Sequence, residues 1–105
     1  MKPIFKPGTM NKTEAAFAEH IERAKLIDND IVAYVFEPLK LRLAKNTFYT
    51  PDFLVVRKSC FEIFEVKGFW RDDARVKIKV AAKMFPWFKW YAVQLKKKQW
   101  TYEEF

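Results

Sequence analysis

The stretch whose reading decides the fold is "YTPDFLVVRKSCFEIFEVKG", residues 49–68. Two runs rich in strand formers, 48–56 and 61–67, flank a polar turn at 57–59 and predict an antiparallel hairpin. Side chains alternate along a strand, so Phe61, Ile63, Glu65 and Lys67 share one face, and Glu62, Phe64 and Val66 share the other. Glu65 and Lys67 then stand about 7 Å apart, carboxylate beside ammonium, at the end of an apolar ridge. A register closing near residues 57–60 carries Asp52 towards Glu65. Pro51 suits a strand edge or bulge, where a missing N–H does little harm and a neighbouring side chain is re-aimed. Charges on such strands are costly unless something pairs with them.

Outward from the hairpin, residues 1–10 hold two prolines and a glycine and read as an irregular arm. Residues 11–28 read as a helix, capped by Asn11 or Thr13, with Phe17, Ile21 and Ala24 at helical spacing. The segment 31–38 is rich in strand formers up to Pro38. In 39–44 strict alternation turns Leu39, Leu41 and Leu43 inward and Lys40 and Arg42 outward. Beyond Gly68, residues 72–85 read as a second helix ended by Pro86. Residues 87–95 read as a strand, 96–98 as a Lys-rich turn, and "WTYEEF" closes the chain. The order is helix, three or so strands, helix, strand, an αβββαβ core: a single α/β domain over 1–105, with a mixed central sheet flanked by helices. The helix between the last two strands permits a parallel crossover.

At 105 residues, with half of them apolar and 18% aromatic, the chain is expected to form a real core. Its net charge of +7 favours a polyanionic partner, nucleic acid first and an anionic membrane surface second. The single cysteine, Cys60, excludes an internal disulfide framework and fits a reducing cytoplasm. With a single histidine besides, His20, a Cys/His zinc site is excluded, and any metal must be held by oxygen. No run approaches a membrane span, and the first ten residues lack a signal-peptide core. A cytoplasmic protein without a membrane partner is expected. Cys60 is read as a small half-buried hydrophobe and His20 as a boundary residue.

A third acid lies in the first helix. Glu14 precedes Phe17, Ala18 and Ile21 by three, four and seven residues, which places it on the buried stripe. It reads either as the partner of Asn11 in a capping box or as a metal ligand. Three converging carboxylates raise one another's pKa values, and a hard divalent cation with oxygen ligands resolves the repulsion. Lys67 then orients or activates a water in the cation's shell, or neutralises charge on a scissile phosphate. Its other reading is a simple ion pair with Glu65.

"TPDF" at 50–53, "FEVKG" at 64–68 and "TE" opening the first helix resemble the PD-(D/E)xK nuclease superfamily. The resemblance implies a restriction-endonuclease-like fold and phosphodiester hydrolysis with Mg²⁺, for which Mn²⁺ substitutes. It implies Asp52 and Glu65 as metal ligands, Glu14 as a helix-borne ligand, the Val66 carbonyl as a further one, and Lys67 as catalytic. More narrowly, "FEPLKLRLA", "YTPDF" and "EVKGFWRDDARVKIKVAA" resemble short phage and prophage proteins grouped near Holliday-junction-cleaving endonucleases. That likeness covers most of the chain, departs at none of the four site positions, and implies DNA as partner, branched DNA as substrate and a host cytoplasm.

In the second helix Arg75, Lys79 and Lys83 make a basic stripe with Lys77 beside it. It reads as a DNA-backbone contact or as an ordinary solvated face, while Val76, Val80, Ala81 and Met84 are expected to face the core. In the loop after Lys67, Arg71 is placed to hold a phosphate, and Phe69 or Trp70 to wedge against a base. A homodimer is expected for symmetric two-strand cleavage, with Trp87, Trp90 and Trp100 as interface material. Two rivals stay open: a nuclease that trims ends or cuts single-stranded or flapped DNA, and a DNA-binding module whose site has lapsed.

Overall fold

The computed structural model describes residues 9–69 and 72–105. The expected arm over 1–10 therefore lies largely outside the described residues, and Trp70 and Arg71 lie wholly outside them. Nine elements follow in order: α1 (Lys12–Lys25), β1 (Ile31–Phe36), β2 (Leu41–Ala44), β3 (Thr47–Tyr49), β4 (Phe53–Arg57), β5 (Phe61–Lys67), α2 (Asp72–Met84), β6 (Lys89–Lys96) and β7 (Gln99–Glu104). Five strands form one mixed sheet in the order β1-β4-β5-β6-β7, and β2 and β3 form a separate hairpin. This is an α/β fold containing the expected αβββαβ succession, with the β2–β3 hairpin inserted and β7 added.

The β4–β5 pairing runs antiparallel from Phe53 opposite Phe64 to Val56 opposite Phe61. Extended by one residue, that register sets Asp52 opposite Glu65. The run 48–56, read as one strand, is divided between β3 and β4. Pro51 lacks the N–H a ladder needs, and the chain leaves one sheet and enters the other across 50–52. β5 and β6 are parallel, joined through α2, as the crossover reading expects. The closing "WTYEEF" belongs to β7, which pairs antiparallel with β6 across a tight turn whose two residues, Lys97 and Lys98, have φ of 49° and 64°. Such left-handed pairs match the twist of a two-residue hairpin, but the usual Asn-Gly signal is missing here.

Two apolar clusters fix the layers. Phe17, Ala18 and Ile21 of α1 pack with Phe53, Val55, Phe64, Val66 and Val93. Ile78 and Ala81 of α2 pack with Tyr49, Ile63, Trp90 and Ala92, and Leu39, Leu41 and Leu43 close over them as their alternation requires. The helices thus cover opposite faces of the sheet. The expected inner face of α2 is corrected: Ala81 is buried, but Val76, Val80 and Met84 are exposed and Ile78 is the fully buried position. Ile78 and Ala81, three apart, define the helix stripe; Val76 and Val80 fall off it. Trp90 is also removed from the supposed interface material, being fully buried with its indole N–H donated to the Phe85 carbonyl. Trp100 packs edge-on against Phe17, and of the three only Trp87 is strongly exposed.

Candidate functional site

The break at 50–52 and the end of β5 bring Asp52, Glu65 and Lys67 together. Asp52 is fastened at three points. Its backbone N–H donates to Glu65 Oε1 at 3.2 Å, its carbonyl accepts from Glu37 N–H at 2.7 Å, and its Oδ2 accepts from the Val66 N–H at 2.8 Å. Glu65 is held in turn by the Tyr49 hydroxyl, which donates to Oε1 at 2.8 Å, so Oε1 takes two donors from the protein. Lys67 Nζ lies 3.3 Å from the other oxygen, Oε2. Tyr49 is buried, stacks on Trp90 and is the last residue of β3.

Charge is poorly balanced here. Burial, then the neighbouring Glu65 and Glu14 charges, push the Asp52 carboxyl up to about 8 despite the Val66 N–H and Lys67. Burial pushes Glu65 up as well, against Lys67 and the Tyr49 hydroxyl. Burial alone would lower Lys67, but Glu65, Asp52 and Glu14 outweigh it and hold the ammonium charged. One cation therefore faces two buried carboxylates. Every buried side-chain polar atom of the described residues has a hydrogen-bond partner, so the imbalance is one of charge and not of missing bonds.

Glu14 satisfies the capping reading: Asn11 N–H donates to its Oε1 at 2.9 Å, and its own N–H donates to Asn11 Oδ1 at 2.8 Å. The cap does not remove it from the site, since its charge still acts on Asp52 and Lys67. It arrives from the α1 side, whereas Glu65 and Lys67 share the strand face of Ile63, which α2 covers. Among the described residues no three His, Cys, Asp or Glu side chains form a ready ligand set. The Asp52–Glu65 pair nevertheless fits Mg²⁺, which is usually bound through one or two carboxylates, waters and substrate phosphates and not by an all-protein cage. With Asp52 raised to about 8 the pair keeps a proton at neutral pH, and such a cation would take that proton's place and leave both acids as carboxylates.

Glu65 and Lys67 open on a cleft of about 290 Å³ lined also by Phe48, Tyr49, Thr50, Asp73, Ala74 and Lys77, and Asp52 lies buried behind Glu65. The cleft continues past Lys67 to Phe69, which is 75% exposed. Lys77 reaches across it from α2, 3.4 Å from the Phe48 carbonyl. Lys79 and Lys83 are exposed, which a backbone-contacting stripe and an ordinary solvated face both require. Arg75 is differently placed: both arms of its guanidinium donate to Glu103 at 2.6 Å, and its fork is filled from within the chain. Arg71 lies outside the described residues. His20 is a boundary residue with its Nε2 3.2 Å from the Tyr102 hydroxyl, and Cys60 is half-buried, both as expected.

Two groups of the site escaped the sequence reading. Tyr49 had only the adjacency to "TPDF" to mark it, and its value depends on the chain crossing between sheets just afterwards. Asp73 lines the cleft because α2 begins beside Lys67. No helix of the described residues is long and apolar enough to cross a membrane. No family model matches the chain, and no curated protein and no solved structure shows significant similarity to it.

Proposed function

We propose that the chain is a divalent-metal-dependent DNA endonuclease that hydrolyses phosphodiesters, with branched DNA such as a four-way junction as its favoured substrate. The observation that carries the reading is the buried Asp52–Glu65 pair, fixed by backbone N–H groups and Tyr49 and undercompensated by Lys67, with Glu65 and Lys67 lining a cleft. The resemblance of "TPDF" and "FEVKG" to PD-(D/E)xK nucleases, and with it a restriction-endonuclease-like fold, supports the same reading.

In this proposal Asp52, Glu65 and the Val66 carbonyl hold Mg²⁺ or Mn²⁺, and Glu14 assists from α1. When bound, the cation supplies Lewis-acid stabilisation of charge on the phosphoryl oxygens. Lys67, kept protonated by its acidic neighbours, orients the attacking water and balances charge that develops on the phosphate. Tyr49 and the Asp52 N–H hold Oε1 of Glu65 so that Oε2 faces Lys67. Lys77, Lys79 and Lys83 attract the DNA backbone, as does Arg71 in the proposal; Arg75 does so only by releasing Glu103. A homodimer would set two sites for symmetric nicking, and the host cytoplasm is the compartment such an enzyme needs.

The test is cleavage of a labelled four-way junction, beside linear duplex and single strand, in Mg²⁺, Mn²⁺ or EDTA. Metal-dependent symmetric nicking of the junction, reduced about 10²–10³-fold in Lys67→Ala, is expected. Cutting of linear or single-stranded DNA alone would discard the junction and keep the chemistry. DNA binding with no cutting of any substrate would discard both.

A further inference from the structure

The β2–β3 hairpin stands outside the αβββαβ succession, and its inner face is accounted for: Leu39, Leu41, Leu43 and Tyr49 close the cluster around Ile78 and Trp90. Its outer face is different in kind. Arg42 and Phe48 are directly opposite each other across the ladder. Lys40 Nζ sits 4.7 Å from the centroid of the Phe48 ring, and Phe48 is 42% exposed. One cation thus lies over an exposed aromatic and a second stands opposite it in the ladder, and neither makes an ion pair with any acid of the described residues. Phe48 is also the first wall of the cleft that holds Glu65 and Lys67, and its carbonyl meets Lys77 from the far side.

From this juxtaposition we infer that the outer face of the hairpin is a stacking platform for an unpaired nucleotide of a DNA strand, beside the hydrolytic cleft. The inference rests on the nuclease reading for its substrate and adds what the substrate must present next to the scissile phosphate. A base stacks on the Phe48 ring, and Lys40 and Arg42 take the flanking phosphates. In the free protein Lys40 covers the ring; a base displaces it because stacking outweighs an exposed cation–π contact, and the released ammonium finds a phosphate instead. Stacking is indifferent to base identity, since every base has a π face, so the platform selects strand structure and not sequence. A blunt duplex keeps its bases stacked on one another and offers the ring nothing. Charge complementarity favours DNA as occupant over an apolar partner, and the ring favours it over a simple polyanion.

The experiment measures binding in EDTA, where hydrolysis plays no part. The probes are fluorescent dT15, a forked duplex with single-stranded arms, a blunt duplex, and vesicles of phosphatidylcholine with phosphatidylserine. Phe48→Ala and Phe48→Leu are expected to weaken dT15 and the fork about tenfold and the blunt duplex less than about twofold, with Phe48→Trp restoring affinity. Lys40→Ala/Arg42→Ala is expected to lower the slope of log K against log salt on dT15 by about 1.4, two phosphate contacts' worth. Leu keeps the apolar volume, so a shared loss in Ala and Leu variants with unchanged melting temperatures reads the ring itself. Unchanged affinity for dT15 and the fork overturns the platform, as does an equal loss on all three DNAs. Loss of vesicle binding alone in the double variant also overturns it and assigns the face to a membrane. Wild-type cleavage in Mg²⁺ is measured beside these. Hydrolysis with no ring effect sinks the platform alone, and a ring effect without hydrolysis sinks the nuclease alone.

Discussion

β5 carries two acids three residues apart on opposite faces, Glu62 and Glu65, and they are equally buried, at 8% and 6% exposure. Their surroundings differ. Glu62 receives the Arg57 Nε at 2.6 Å, and the same guanidinium goes on to Asp28 at 3.0 Å and Asp30 at 3.4 Å. Arg57 is thus shared by three acids, but the two aspartates are partly in water and Glu62 is the one deeply buried acid it serves, at the shortest distance. Glu65 shares Lys67 with Asp52, which is buried too, while Glu14 adds a third negative field. The cavity beside Glu62 is small, about 80 Å³, whereas the cleft at Glu65 is about 290 Å³. A structural charge brings its counter-charge with it. Asp52 and Glu65 are left short of one, which is what the proposed metal-binding reading asks of them, and burial alone does not tell the two cases apart.

The largest expected effect breaks the structural end. Arg57→Ala strips Glu62 of its cation and is expected to cost about 3 kcal/mol in urea unfolding. Arg57→Met with Glu62→Leu, which removes both charges, is expected to lie within about 1 kcal/mol of wild type. A single variant as stable as wild type would mean that Glu62 is not held by Arg57 and that the contrast is illusory.

The next effect is opposite in sign and belongs to the other end. Asp52 has its proton affinity raised, to about 8 from an ordinary 3.8, so the folded chain holds that proton more tightly than the unfolded chain does. Its contribution to stability is full at low pH and is lost as pH rises towards 8. His20, lowered by burial and Arg23, runs the other way over part of this range. Asp52→Asn keeps His20, so the difference between variant and wild type reads Asp52 together with Glu65 and Lys67, whose charges act on it. Without divalent metal, Asp52→Asn is expected to become more stable relative to wild type between pH 5 and pH 8, by on the order of 2 kcal/mol. Parallel pH profiles would show that Asp52 is not undercompensated.

Much of this site was legible before folding was considered. Alternation in "FEIFEVK" fixes Glu65 and Lys67 on one face, and a hairpin closing near 57–60 aligns Asp52 with Glu65 whatever the rest of the chain does. Those are local facts of strands and turns. Glu14 was legible to the extent of its two readings, since Asn11 and Glu14 are three apart on any helix. Residues joined through distant elements were not legible. Arg57 looked like a turn residue, and nothing near it in sequence announces Asp28 or Asp30. Tyr49 reaches Glu65 only because Pro51 ends the ladder and sends the chain from the hairpin into the main sheet. The inner stripe of α2 was misplaced because Val76, Val80 and Met84 are as apolar as Ile78. Apolar content alone does not select the stripe, and the packing of Ile63 and Trp90 does.

The smallest effect sharpens the comparison most, because it asks whether the deficit at Asp52 and Glu65 is one that a cation fills. Anything that binds the folded chain alone stabilises it by RT ln(1 + [L]/Kd), about 1.4 kcal/mol at tenfold excess over Kd. For a domain of this size that corresponds to a rise in Tm of roughly 4–8 °C. Mg²⁺, or Ca²⁺ as a non-hydrolytic substitute, is expected to raise the Tm of wild type at pH 8 and to leave Asp52→Asn unmoved. Glu62→Gln is expected to respond as wild type does, since the acid it neutralises already has its cation. The rise should shrink towards pH 5, where protons compete for Asp52. A general salt effect would stabilise all three proteins alike and would sever the link between the buried acids and a metal. A rise confined to chains with an intact Asp52 makes the charge deficit a binding site.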